Sequence, residues 1–207
     1  MNYAKQLGRM IYSSPQLMMR LQYLREIHAE AYLSAGVIRN MVWSNLHDQV
    51  YCLDKTEIDV VFYDVKDYSG SLQQHLGQQL KQKFPGNDWD VVNQAYVHLW
   101  YKTDDGNVIS QYASLFDALS VWVETSTAIA VRLKEHDQLE LIAPFGLNDL
   151  FELKLRWNAR LVSYATFLQR IQSKRFLQRW HKLVIVDEPL KDQRENHLEC
   201  ISVHEIQ

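Results

Sequence analysis

The chain has 207 residues, with 22 Lys and Arg against 25 Asp and Glu, a formal charge of −3. Apolar residues make up 47% and charged residues 23%, the balance of an ordinary globular protein, which excludes a disordered tail, a collagen-like repeat and a small disulfide scaffold. Cys52 and Cys200 are the two cysteines; they are too few for a framework and sit in no C-x-x-C metal pattern, so a reduced, cytoplasmic chain is expected. Lys5, Arg9, Arg20 and Arg25 interrupt the early apolar runs, and no run of about 18 apolar residues occurs, so neither a signal peptide nor a membrane span is expected.

Leu17, Met18, Leu21, Leu24 and Ile27 recur at helical spacing after Ser13, Ser14 and Pro15, predicting a helix over 16–30. A short apolar run over 31–36 leads to a second helix over 37–47. Residues 57–63, rich in β-branched and aromatic side chains, read as a strand. A helix over 72–84 is stopped by Pro85 and Gly86. Strands are expected over 89–93 and 95–102, with Asp105 and Gly106 making a hairpin turn. Beyond them come a helix over 114–123, a hairpin of 127–133 with 138–142, a helix over 147–155 and a long amphipathic helix over 164–181. That last helix turns Phe167, Leu168, Ile171, Leu177 and Trp180 inward. Residues 183–186 read as a short strand. Strands and helices mix without regular βαβ alternation, so the class is α+β. One domain is expected over 1–186, with a core at about 31–105, a C-terminal elaboration over 106–186 and a polar tail over 187–207.

The net charge conceals an asymmetry. Between Phe151 and Leu183 lie eight Lys or Arg and a single acid, Glu152. The plain reading is a solvated helix face; the sharper one is a surface for a polyanion, a nucleotide triphosphate or RNA, with the helix over 170–182 as the contact.

The chemistry concentrates in two stretches. Glu57 and Asp59 stand at i and i+2 of a strand, so their carboxylates share a face with bases about 6.6 Å apart. At an effective dielectric near 20 that repulsion is roughly 2.5 kcal/mol, which a divalent cation would reverse; Mg²⁺ uses one or two carboxylates together with substrate phosphates. Upstream, Gly36 sits at a strand-to-helix turn. A glycine there lets phosphates approach the backbone, and the free N–H groups and dipole of the helix favour anions. Arg39, one turn on, has the planar fork suited to phosphate oxygens. Asp90 lies on the next predicted strand, with Asn93, Gln94 and His98 following; Asp64 ends the Glu57 strand and reads as a loop cap. No G-x-x-x-x-G-K-[ST] occurs, which excludes a P-loop NTPase.

The run Ala35-Gly36-Val37-Ile38-Arg39-Asn40, followed by Glu57-Ile58-Asp59-Val60-Val61, resembles the head of the nucleotidyltransferase superfamily, whose fold is that of DNA polymerase β. It is similar to the Gly-Gly-x-x-Arg…Asp-x-Asp signature of CCA-adding tRNA nucleotidyltransferases. It resembles more closely a bacterial family known only as nucleotidyltransferase family proteins. That likeness runs from about Leu33 to Val186 and includes the stretches 89–101, 124–128 and 143–151. The resemblance implies a mixed sheet flanked by helices, with an added C-terminal hairpin and helices. It also implies Mg²⁺ or Mn²⁺ held by Glu57, Asp59 and Asp90, and an NTP held by Ala35, Gly36 and Arg39. The reaction implied is transfer of a nucleoside monophosphate to an acceptor hydroxyl with release of pyrophosphate. Two departures stand out: Glu57 where Asp is usual, and Ala35 in place of the first glycine of the tRNA-enzyme signature. Glu57 keeps open a second reading, a nucleotide-binding module without catalysis. A third, protein interaction through 6 Trp and 11 Tyr, ranks last because most of them fall at expected core positions.

Overall fold

The computed structural model describes residues 2–54 and 56–188. From residue 189 on, the expected polar tail, Cys200 included, lies outside the described residues. Two helices lead, α1 (Tyr3–Tyr12) and α2 (Pro15–Ile27). Asn2 caps α1 through its side chain, and Ser14 caps α2 ahead of Pro15 at the first helical position, the favoured arrangement for a helix start. The pattern of 16–30 is realised in α2, whereas α1 was not foreseen; Ala4, Leu7 and Ile11 bury its inner face.

The central sheet has five strands in the order β3-β2-β1-β4-β5. Its members are β1 (Tyr32–Ser34), β2 (Glu57–Phe62), β3 (Asp88–Asn93), β4 (Ala130–Leu133) and β5 (Leu139–Ile142). Helix α3 (Gly36–Leu46) follows β1, and α4 (Ser71–Lys83) carries the chain from β2 to β3, which pair in parallel while the other neighbours are antiparallel. The sheet therefore draws two strands from beyond residue 105. Ile58, Val60 and Phe62 enter the main core with Val37, Ile38, Val42 and Trp43 of α3, and strand alternation turns Glu57, Asp59 and Val61 to the other face.

Later elements depart from the periodicity. The strand expected over 95–102 does not form: Gln94–Leu99 is a 3₁₀ helix, because the buried Asn93 side chain accepts from the Ala95 amide and takes the chain out of the sheet. The Asp105-Gly106 turn forms, with Lys102 facing Val108 in a single bridge. The helix over 114–123 is realised only as α5 (Leu115–Leu119). The second hairpin forms as β4 and β5 in register, Leu133 opposite Leu139. The helix over 147–155 divides into α6 (Asn148–Phe151) and a strand, β6 (Lys154–Arg156), which pairs in parallel with β7 (Val184–Val186).

The long amphipathic helix breaks into α7 (Tyr164–Ser173) and α8 (Phe176–Arg179) at Arg175, whose φ is 52°. Ile171 and Phe176 are five residues apart, about 140° around a helix, so one continuous helix cannot bury both on a single stripe. The left-handed residue resets the phase. Phe167, Ile171, Phe176 and Trp180 are buried, whereas Leu168 and Leu177, expected inward, are 39% and 41% exposed. Phe176 and Trp180 pack edge-on against Trp43, with ring centroids 5.5 and 5.2 Å away. No helix among the described residues is long and apolar enough to cross a membrane.

Candidate active site

The outward face of β2 and β3 floors a cavity of about 600 Å³. In the parallel register Asp59 stands opposite Asp90 and Val61 opposite Val92, so pairing of the strands brings the two aspartates side by side. Burial pushes the Asp59 carboxyl up to about 6, with Glu57 and Asp90 adding to the shift; the Gly36 amide and Arg39 oppose it. Asp90 is also raised, by burial and then by Glu57. Glu57 is exposed at the start of β2, with Lys174 Nζ 3.5 Å from its Oε2. The floor of the cavity thus brings three carboxylates together, and each of the two aspartates is disfavoured as an anion by burial and by Glu57.

Across the floor, β1 passes into α3 through Ala35, whose φ of 53° and ψ of −117° lie in a region that favours glycine. The Ala35 N–H donates to Ile129 O at 2.9 Å, which pins the turn. A methyl group on Gly36 would lie 3.7 Å from Arg39 Nη2 and 3.8 Å from Asp59 Oδ2. Those are ordinary contact distances, so the free chain would accept it. What it would fill is the space between helix start, guanidinium and carboxylate, where a phosphate has room.

Arg39 is buried rather than a surface arginine. It donates to Asn40 Oδ1 and Thr127 Oγ1, and its guanidinium lies 4.4 Å from the Phe176 ring centroid. Burial lowers it to about 10, with Glu124 opposing that shift, so it remains a cation at neutral pH. Arg170, Lys174 and Arg179 also line the cavity. Three of the eight basic residues of the segment therefore border this space, while Lys174, Arg175, Arg179 and Lys182 are also exposed to solvent. Phe176, placed by the break at Arg175, forms part of the same wall.

Glu124 was missed by sequence reasoning. It is fully buried, its Oε1 accepts from Arg170 Nε at 2.7 Å, and its Oε2 makes no hydrogen bond to any described residue. The resemblance over 124–128 was the one signal that included it; periodicity marks no role, because its partner is an arginine 46 residues away. Asp64 does not line the cavity; its carboxylate accepts from the Lys66 amide at 2.7 Å, the loop cap expected of it. Asn93 holds the Asp64 backbone at both its N–H and its C=O. Gln94 lines the cavity, and His98 does not.

No three His, Cys, Asp or Glu side chains among the described residues converge closely enough to enclose an ion on their own. An adjacent pair of aspartates, with Glu57 nearby, still suits a hard divalent cation, because Mg²⁺ completes its shell with substrate phosphates and water.

A family model described as nucleotidyltransferase matches residues 25–185. An NMR structure described as a CCA-adding enzyme head domain is 27% identical, with a TM-score of 0.73 over 88% of this chain and 95% of that one. A CCA-adding enzyme in complex with CTP is 17% identical, with a TM-score of 0.55 over 87% of this chain and 43% of that one. The Thermotoga maritima CCA-adding enzyme in complex with tRNA is 21% identical, with a TM-score of 0.51 over 87% and 42%. At those identities the last two show a shared fold alone, and this chain spans less than half of their length. No curated protein matches the chain.

Proposed function

The chain belongs to the nucleotidyltransferase family, and on that premise we propose that it transfers a nucleoside monophosphate from an NTP to an acceptor hydroxyl. The observation that carries the reading is the register of β2 on β3, with Asp59 opposite Asp90 beside the start of α3. Gly36 and its neighbouring amides bind the phosphates of the donor, and Arg39, Arg170, Lys174 and Arg179 neutralise the triphosphate. Asp59 and Asp90, with Glu57, would hold Mg²⁺ or Mn²⁺. A divalent cation bound there polarises the phosphoryl group and stabilises entering and leaving oxygens.

The acceptor oxygen bonds to the α-phosphorus, and the bond from that phosphorus to the bridging oxygen of pyrophosphate breaks. The acceptor proton passes to the Asp90 carboxylate, the more exposed of the pair and open to the cavity. Arg39, fixed by Thr127, Asn40 and the Phe176 ring, holds the phosphates without reorganising as charge shifts to the leaving group.

The contact of Glu57 with Lys174 favours one alternative, a nucleotide-binding module without turnover. Thermal unfolding with millimolar Mg²⁺ and each NTP tests the binding that both readings share. A nucleotide at 100 times its dissociation constant adds about 2.7 kcal/mol, and Asp59→Asn is expected to lose most of that gain. The same substitution removes a carboxylate whose charge is disfavoured by burial, so the free variant is expected to melt no lower than the parent. If no nucleotide shifts the parent protein, both readings fail; a shift without pyrophosphate release, across mixed cellular acceptors, leaves the binding module.

A further inference from the structure

The cavity changes character along its floor. Its four lining cations are Arg39, Arg170, Lys174 and Arg179. Arg39 feels the charges of Arg170 and Arg179, and Lys174 meets Glu57 at the start of β2, so the positive charge gathers around Gly36 and Glu57. Two residues beyond the aspartates, about 7 Å along the strands, the floor becomes Val61 and Val92. There Val92 and Tyr101 pack against a cluster of Val97, Tyr112 and Ala118, and Trp122 packs against the cluster that holds Val61. Gln94 contributes an amide to the lining, and Trp100 lines the rim while 65% exposed. The charge that Tyr101 feels is negative, from Asp104.

We propose that this apolar end is the acceptor site, and that the acceptor is an uncharged small molecule presenting a hydroxyl on or beside a ring, not a nucleic acid. The inference rests on the transfer reading above. In-line displacement sets the entering oxygen opposite the leaving pyrophosphate. With the triphosphate among the cations, the hydroxyl enters from the side of Val61 and Val92 and meets Asp90 on the way. Its oxygen bonds to the α-phosphorus as the bond to pyrophosphate breaks, and its proton goes to Asp90. A ring packs on Trp100 and Tyr101, and Gln94 orients its polar edge, the usual division of labour in a small-molecule pocket. An RNA end brings phosphates that require cations. Arg39, Arg170 and Lys174 are held by Thr127, Asn40, Glu124 and Glu57 rather than by Tyr101, Tyr112 or Val92, and Asp104 repels phosphate. Lys102 follows Tyr101 in the chain but does not line the cavity.

The probe is phenyl β-D-glucopyranoside, titrated by calorimetry into the full chain saturated with Mg²⁺ and an NTP whose α,β-bridging oxygen is replaced by methylene. Saturable binding is expected, insensitive to salt and weakened about tenfold or more by Trp100→Ala through lost stacking. The nucleotide-dependent rise in melting temperature should be unchanged in that variant. Trp100 is exposed, so the substitution leaves no cavity in the core. Two results overturn the proposal while leaving the transfer reading intact. One is nucleotide binding with no binding of the glucoside. The other is a single-stranded oligoribonucleotide that binds instead, with a steep salt dependence and no response to Trp100→Ala. Absence of any nucleotide shift overturns the transfer reading, and this inference with it.

Discussion

Asp59, Asp90 and Asp64 face different surroundings, and their surroundings assign different work to them. Asp59 is mostly shielded, next to the Gly36 amide and Arg39; Asp90, across the strand pair, is exposed; Asp64 spends its carboxylate on the Lys66 amide. Asp90→Asn keeps the size of the side chain and removes its charge and basicity. Much of the nucleotide-dependent stabilisation should survive that change, because Glu57 and Asp59 remain to hold a cation, while turnover falls by something like 10²-fold. Asp64→Asn should leave turnover near that of the parent. Measuring pyrophosphate release for both variants checks the assignment: full rate in Asp90→Asn with a dead Asp64→Asn protein would reverse it. Glu124 belongs with these groups by its arrangement, one oxygen on Arg170 and the other left open, although its sequence context is an ordinary polar run.

At the scale of elements, the junction of β1 and α3 carries the tension of the site. Ala35 adopts a backbone conformation that costs a non-glycine residue on the order of 1–3 kcal/mol, held by its amide bond to Ile129 and by the start of α3. Ala35→Gly removes the Cβ conflict but adds chain entropy to the unfolded state, about 0.5–1 kcal/mol. A net stabilisation of about 1 kcal/mol is expected, read as a higher urea midpoint with an unchanged slope. A lower midpoint would mean that the surrounding contacts bear no strain at this turn. The break between α7 and α8 has a similar logic. A left-handed residue at Arg175 allows two apolar patches out of helical phase to bury against one body, and it brings Phe176 beneath Arg39.

Across the whole molecule, distant segments close on one another. Tyr3 of α1 stacks on Phe151 with centroids 4.8 Å apart. Trp180 packs on Trp43 and donates to Ser44, and one continuous apolar core includes residues from Ala4 to Leu183. We propose on this ground that residues 1–186 unfold as one unit. Trp180→Ala is expected to cost about 3–5 kcal/mol, the range for emptying a buried aromatic site, and to lower a single transition seen alike by tryptophan fluorescence and far-ultraviolet dichroism. Two separated transitions would show instead that the C-terminal segment melts as a unit of its own.

What could be read directly from the chain was whatever depends on neighbours in sequence. Alternation along 57–63 set Glu57 and Asp59 on one face, Gly36 marked the start of a helix, Asp64 was recognisable as a cap, and the hairpin expected of 127–133 with 138–142 forms over 130–133 and 139–142. Tertiary structure decided what depends on partners far along the chain. The parallel register puts Asp90 opposite Asp59, a relation that resemblance suggested but periodicity does not contain. Residues 94–99 leave the sheet because Asn93 finds a buried backbone to bond. The basic segment turns four of its aromatic and charged side chains, Arg170, Lys174, Phe176 and Arg179, into the cavity, although its composition alone favoured a solvated face. Local spacing determines which way a side chain points from its own element, because backbone geometry is repeated. Which charges and rings it then meets depends on strand register and helix breaks, and those are chosen by the burial of the whole core.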